Sequence, residues 1–146
     1  MKKMILFIAA SFLTVTMFAQ SATPAKKAED IVKFKELSYN FGKIKQSAPV
    51  THDFVFTNTS GNAVVIETAT ASCGCTTPVW PQAPVAKGKS DKITAGFNAG
   101  AAGPFNKTIS VKVAGVDGYV VLTITGEVLS AEEFAKYEKT KGNKGK

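Results

Sequence analysis

The sequence predicts an all-β sandwich of about seven short strands, and three observations carry that prediction. Apolar and polar residues alternate with a period of two over several segments. Clusters rich in Gly, Pro, Asn and Asp separate those segments at short intervals. Beyond the N-terminal segment lies one ordinary domain's worth of chain, enough for a single core and too short for two. Short strands punctuated in this way fit two packed sheets.

At the N-terminus, Lys2 and Lys3 precede an apolar run from Met4 to Phe18 that ends in small and polar residues. This is the pattern of a cleaved signal peptide over residues 1–19, with cleavage after Ala19 or after Ser21. The run is short for a membrane span, and no cysteine stands at the junction to take a lipid. The expectation is a protein of the periplasm or the secreted fraction, neither a lipoprotein nor held by a membrane anchor. Residues 20–30, rich in Ala, Lys, Thr and Pro, read as a flexible lead-in.

The domain proper spans residues 31–129. In Val50 to Thr57, Phe54 and Phe56 share one face while Thr51, Asp53 and Thr57 share the other. Ile93, Ala95 and Phe97 alternate with Lys92, Thr94 and Gly96. Ile109, Val111 and Val113 alternate with Thr108, Ser110 and Lys112, and Val120, Leu122 and Ile124 alternate with Tyr119, Thr123 and Thr125. The predicted core is Phe54, Phe56, Ile66, Ile93, Phe97, Ile109, Val111, Leu122 and Ile124. Turn signals lie at residues 58–62, through Pro78, Pro81 and Pro84, at 86–89, at 99–104 and at 116–118. In residues 130–146, Ser130 and Glu133 form a capping-box pattern and Phe134 and Tyr137 share a face, which predicts a short helix. A Lys-rich tail frays from Lys139 onward.

The formal net charge is +7, yet every basic residue is lysine, two of them lie in the leader, and five stand in the last eleven residues. Without arginine the chain has no bidentate reader of phosphates or bases, which argues against nucleic acid as a partner. Met1, Met4 and Met17 are the only methionines, so the processed chain offers no thioether ligand.

Five segments together resemble a known family: Phe41-Gly42-Lys43-Ile44, His52 to Thr59, Ala71-Ser72-Cys73-Gly74-Cys75-Thr76, Gly103 to Lys107, and Ile124-Thr125-Gly126-Glu127-Val128. In order and spacing they are similar to the bacterial domain of unknown function 1573 (DUF1573), over about Phe34 to Val128. The resemblance implies an immunoglobulin-like sandwich related to major-sperm-protein and Hydin-type domains, in exported proteins of Bacteroidetes-type bacteria. It implies no particular activity. Ser60 departs from the family's glycine after Asn-Thr, with Gly61 one residue later, a difference confined to the turn.

The only cysteines, Cys73 and Cys75, are one residue apart. In an oxidising compartment such a pair forms a disulfide unless it is reduced or metallated. Three readings stay open. The first is a bridge that shapes the loop leading into Pro78-Val79-Trp80-Pro81, with Gly74 admitting backbone angles closed to other residues. The second is a redox-active pair, since a bridge over one residue closes a very small ring. The third is a soft-metal site for Cu(I) or Zn(II), with His52, the only imidazole, as third ligand. His52 on the Phe54 and Phe56 face also fits a partly buried structural histidine. His52 and Asp53 point to opposite faces and cannot act as base and orienting partner. Trp80 is a candidate recognition aromatic or a plug at one end of the sandwich.

No phosphate-cradling glycine loop, nucleophile elbow or paired carboxylates occur in the sequence. The reading is an exported binding or assembly module, not an enzyme, with no resident cofactor and with another envelope or secreted polypeptide as partner. The alternative is a redox-active or soft-metal-handling protein centred on Cys73 and Cys75. The leader reading makes its own prediction: N-terminal sequencing of the processed protein finds Gln20 or Ala22 first, and osmotic release recovers it without detergent. An intact Met1 in a detergent-dependent fraction is the contrary outcome.

Overall fold

The computed structural model describes residues 27–142. The leader, residues 20–26 of the lead-in and residues 143–146 of the tail lie outside the described residues. Eight strands form two four-stranded sheets packed face to face: β1 (Val32–Phe34), β2 (Ser38–Lys45), β3 (Val50–Asn58), β4 (Ile66–Ala71), β5 (Thr76–Val79), β6 (Ser90–Phe97), β7 (Gly103–Val113) and β8 (Val120–Leu129), followed by helix α1 (Ala131–Gly142). One sheet runs β1-β3-β6-β5 and the other β2-β8-β7-β4. The molecule is an immunoglobulin-like sandwich.

All nine predicted core residues are buried between the sheets. The alternation within β3 decides its register: Phe54 pairs with Ile93 and Phe56 with Asp91 of β6, which places both phenylalanines inward with no exposed surface. On the outward face, Lys92 and Thr94 each donate a hydrogen bond of 2.6 Å to the Asp53 carboxylate. The Lys92 bond, then the Thr94 bond, hold that carboxyl below the usual carboxylate range. A depressed native value means the small contribution is present above the unfolded value and is lost as pH falls through the native one.

The outward turn after β3 is fixed by Asn58, a fully buried polar side chain. Its Nδ2 donates to Asn62 O at 2.7 Å and to Val85 O at 2.8 Å. Its Oδ1 accepts from Ser60 N at 2.9 Å and Ser60 Oγ at 2.7 Å. Each donor and acceptor of the amide is satisfied, as burial requires, and Ser60 is thereby a working member of the turn.

Three of the five family-like segments meet at Gly126. A Cβ there would stand 2.7 Å from the Phe105 ring and 2.8 Å from Gly42 O. Gly42 itself has φ 68°, in the left-handed region that favours glycine, and lies where β2, running parallel to β8, bulges between Asn40 and Lys43. The two glycines let β2 lie against β8 while Phe105 covers the end of the core.

Several boundaries differ from the sequence reading. Ala28–Asp30, assigned to the lead-in, form a 3-10 turn with Ala28 buried. The segment through Pro78, read as turn, is edge strand β5, where a proline is tolerated because one side has no ladder. Strand β7 begins at Gly103, inside the predicted 99–104 turn, because β4 ends opposite Ile109 and leaves Pro104 with β8 as its only strand neighbour. The capping box is present: Ser130 N donates to Glu133 Oε2 at 3.0 Å and Glu133 N to Ser130 Oγ at 3.3 Å. Helix α1 continues past Lys139, expected to fray, to Gly142.

Two substitutions test this packing by chemical denaturation. Phe56→Ala is expected to cost about 3–5 kcal/mol through the cavity it leaves. Gly126→Ala adds only a methyl group and is still expected to cost about 1–3 kcal/mol, because both backbone and ring must move. A Gly126→Ala variant as stable as the parent is the contrary outcome.

Candidate functional site

Two open sheets have four edge strands, and sequence distinguishes them. At β1 the edge carries Lys33 with Lys35 just beyond it; at β2 the bulge, Lys43 and Lys45 interrupt pairing, and Lys43 lies 5.4 Å from the Tyr137 ring of helix α1. Lysines, bulges and covering helices are the ordinary guards of a strand edge. The other two edges, β4 and β5, lie on the opposite side of the sandwich. Apart from Glu67 at the bulged start of β4, they carry no charge. Residues 68–86 as a whole contain no charged side chain.

The chain passes from β4 to β5, and so from one sheet to the other, through Ser72 to Cys75. Cys73 and Cys75 form a disulfide there. Hydrogen bonds hold the same loop on both sides: Ser72 N donates to Thr108 O at 2.9 Å, Thr108 N to Ser72 Oγ at 3.1 Å, Thr76 N to Cys73 O at 3.3 Å and Asn98 N to Cys75 O at 3.1 Å. A bridge over one residue adds little to that. Loop-closure arithmetic gives about 1.6 kcal/mol for a three-residue ring against about 3 kcal/mol for fifteen residues. Gly74 differs from the expectation that its freedom is needed: its φ lies outside the left-handed region and nothing stands within 4 Å of a Cβ built on it. The loop is open above the bridge.

Between the two uncharged edges runs a groove of about 440 Å³, lined by Ala69, Ala71, Cys73, Thr76, Pro78 and Trp80 among others. Trp80 is half-buried and packs against the core, while Val79 beside it is 64% exposed. Trp80 therefore acts partly as a plug and partly as a groove wall. In an antiparallel ladder, alternate residues direct their N–H and C=O to opposite sides. Ser72 N points to β7, which sets the phase and turns the backbone groups of Ala69 and Ala71 toward the open edge. The proline in β5 removes one donor from the facing edge.

His52 is not brought to the cysteines. Its ring stacks on Tyr39 at 3.6 Å between centroids and lies edge-on to Phe54 at 4.8 Å, and its Nε2 is 2.9 Å from Glu36 Oε1. It stands in β3, separated from β5 by β6, which is about 10 Å at two strand spacings. The structure does not bring Cys73, Cys75 and His52 together: the two sulfurs are bonded to one another and the imidazole is engaged by Tyr39 and Glu36. Among the described residues no three His, Cys, Asp or Glu side chains form a metal-holding group, and no helix is long and apolar enough to cross a membrane.

What sequence reasoning did not single out is β4 with its groove partners Thr70, Ala71 and Pro78. The signal was present as the charge-free run of residues 68–86 in a chain with 20% charged residues. Replacing both Cys73 and Cys75 with serine is expected to lower stability by about 1–2 kcal/mol with the sandwich intact. Thermal unfolding followed by circular dichroism checks this, and an unfolded double variant contradicts it.

Comparison with known proteins places this geometry. A human PapD-like domain, PapD-like domain 7 of CEP192, superimposes with a TM-score of 0.61 at 11% identity over 86% of this chain and 99% of that one. A protein of unknown function from Porphyromonas gingivalis W83 gives a TM-score of 0.57 at 11% identity over 66% of this chain. This chain covers 46% of that protein, less than half its length. The VesB protease of Vibrio cholerae gives 0.52 at 16% identity over 69% of this chain and 33% of its own. Identities this low show a shared fold alone. No curated protein matches the sequence. The family described as "Protein of unknown function (DUF1573)" matches residues 32–128, which include the whole sandwich from β1 to the end of the core in β8, and the chain belongs to that family.

Proposed function

We propose that this domain is an exported, non-catalytic binding or assembly module of the cell envelope. Its partner is another envelope or secreted polypeptide, which it takes as an extended, uncharged segment along edge β4, with an apolar side chain seated against Trp80. One observation carries the reading: beyond Glu67 at the bulged start of β4, the two edges on one side of the sandwich carry no charge and flank a groove, whereas the edges on the other side bear lysines along their length and, at β2, a mid-strand bulge and a helix. Guarded edges resist strand addition and unguarded ones invite it. The open backbone groups of Ala69 and Ala71 supply main-chain pairing. The small side chains of Ala69 and Ala71 leave room for a partner side chain, and Trp80 supplies a rigid aromatic surface, the residue type that dominates binding energy at interfaces. An uncharged groove favours an uncharged occupant, since a charge placed there would lose its water without gaining a partner. Export, from the leader, puts such a segment in the same compartment.

Site-specific photocrosslinking in intact cells tests the proposal. A photoreactive residue at Val79 is expected to give one discrete adduct with another polypeptide, absent when the same residue replaces Leu37 on the guarded side. Trp80→Ala is expected to reduce that adduct about tenfold, the effect of losing one aromatic anchor. An adduct unchanged by Trp80→Ala, equal adducts from both positions, no adduct, or one with the mass of two copies of this chain overturns the reading.

A further inference from the structure

We propose that the Cys73–Cys75 bridge is a reversible thiol–disulfide exchange site whose reaction partner is a protein dithiol. The inference stands on the geometry of the loop and is independent of the docking reading.

A bridge kept for stability should restrain chain that nothing else restrains. Here the four hydrogen bonds at Ser72, Thr108, Thr76 and Asn98 fix both ends of the loop without using either sulfur. Opening the bridge therefore leaves both thiols where they were, ready to close again, which is what exchange in both directions requires. The two sulfurs also differ. Cys73 lines the groove, with open space over Gly74 beside it, whereas Cys75 packs against the core. Both residues are partly buried, but only Cys73 borders the groove, so Cys73 is the sulfur more open to an incoming thiolate. The Thr76 hydroxyl stands 3.7 Å from Cys73 Sγ and can donate to that sulfur when it carries negative charge, which favours the thiolate.

These positions set the chemistry. A thiolate of the partner dithiol attacks Cys73 Sγ; a new S–S bond joins partner and Cys73, the Cys73–Cys75 bond breaks, and Cys75 leaves as a thiolate that takes up a proton. The partner's second thiolate then attacks its own sulfur in the mixed disulfide and expels Cys73 as a thiolate beside the Thr76 hydroxyl. The dithiol ends as a disulfide and this chain ends with two thiols, a transfer of two electrons. Run backward, the same steps let this chain reduce a partner disulfide.

Glutathione is the probe that tests this with the purified full chain. The protein is equilibrated in buffers of varied reduced-to-oxidised glutathione ratio, trapped by alkylation and weighed intact, while circular dichroism follows the fold. The expected result is a midpoint inside that range, with the same spectrum at both ends. A bridge that stays fully oxidised at about a hundredfold excess of reduced glutathione is behaving as a resistant structural disulfide and overturns the proposal; so does loss of the fold on reduction. The two single variants then test the assigned roles. With oxidised glutathione, Cys75→Ser, which keeps Cys73, is expected to form its mixed disulfide about tenfold faster than Cys73→Ser, in line with exposure and thiolate character. Equal rates, or a faster Cys75, overturn the assignment of Cys73 as the attacked sulfur.

Discussion

Every backbone N–H and C=O of a strand needs a partner, and two open four-stranded sheets leave four edges where the supply runs out. Much of the surface of this domain can be understood as a response to that constraint. Strand β1 is three residues long, with Lys33 at its centre and Lys35 just beyond it. Strand β2 takes a parallel place beside β8, bulges, and lies near helix α1. Strand β5 has a proline in its middle. Only β4 meets the constraint with neither lysine nor proline, and it faces a groove that contains the single tryptophan of the chain. An edge left open in a protein that closes its others is where a further strand fits.

The same constraint explains why the family-like segments recur around glycine and asparagine. Where β2 bulges beside β8, Gly126 lets Gly42 O and the Phe105 ring approach to distances a Cβ would forbid. Asn58 solves a related problem at the far end of β3. There the buried group is the Asn58 amide itself, and the turn supplies it with partners: the carbonyls of Asn62 and Val85 accept from its Nδ2, and Ser60 donates to its Oδ1. Leaving that buried amide unpaired would cost on the order of 1–3 kcal/mol, comparable to a good part of a small domain's net stability.

Strands with a strict period of two were legible in the sequence. Strands β3, β6, β7 and β8 alternate because each buries one face and wets the other, and the core residues predicted from them are all buried, while Val50 and His52 at the open end of β3 are partly so. Strands β1, β2, β4 and β5 were not read as strands, for separate physical reasons. Strand β1 is too short to show a period. In β2 the bulge shifts the alternation. In β4 the inward residue Ala69 is small, and in β5 the proline resembles a turn signal. Edge strands depart from the regular pattern because they are protected or exposed as edges, so regularity in a sequence reveals central strands first. The cysteines and Trp80 were visible as candidates. That they share one groove, and that His52 is held across the sheet by Tyr39 and Glu36, depends on strand order, which local periodicity does not encode.

The position of the disulfide links the fold to its chemistry. A crossover from one sheet to the other must leave its ladder, and in most loops the freed backbone groups would turn to water. Here the ladder is extended by side chain and main chain together: Ser72 bonds Thr108 twice, and Cys75 O accepts from Asn98 N. The loop is rigid before any sulfur chemistry is considered, so the bridge contributes position more than strength. Thiols held on a rigid crossover, one toward an open groove and one toward the core, have unequal access built in by topology. Unequal access is the property that distinguishes an exchanging pair from two equivalent sulfurs, and it arises here from the direction in which β4 leaves its sheet and β5 enters the other.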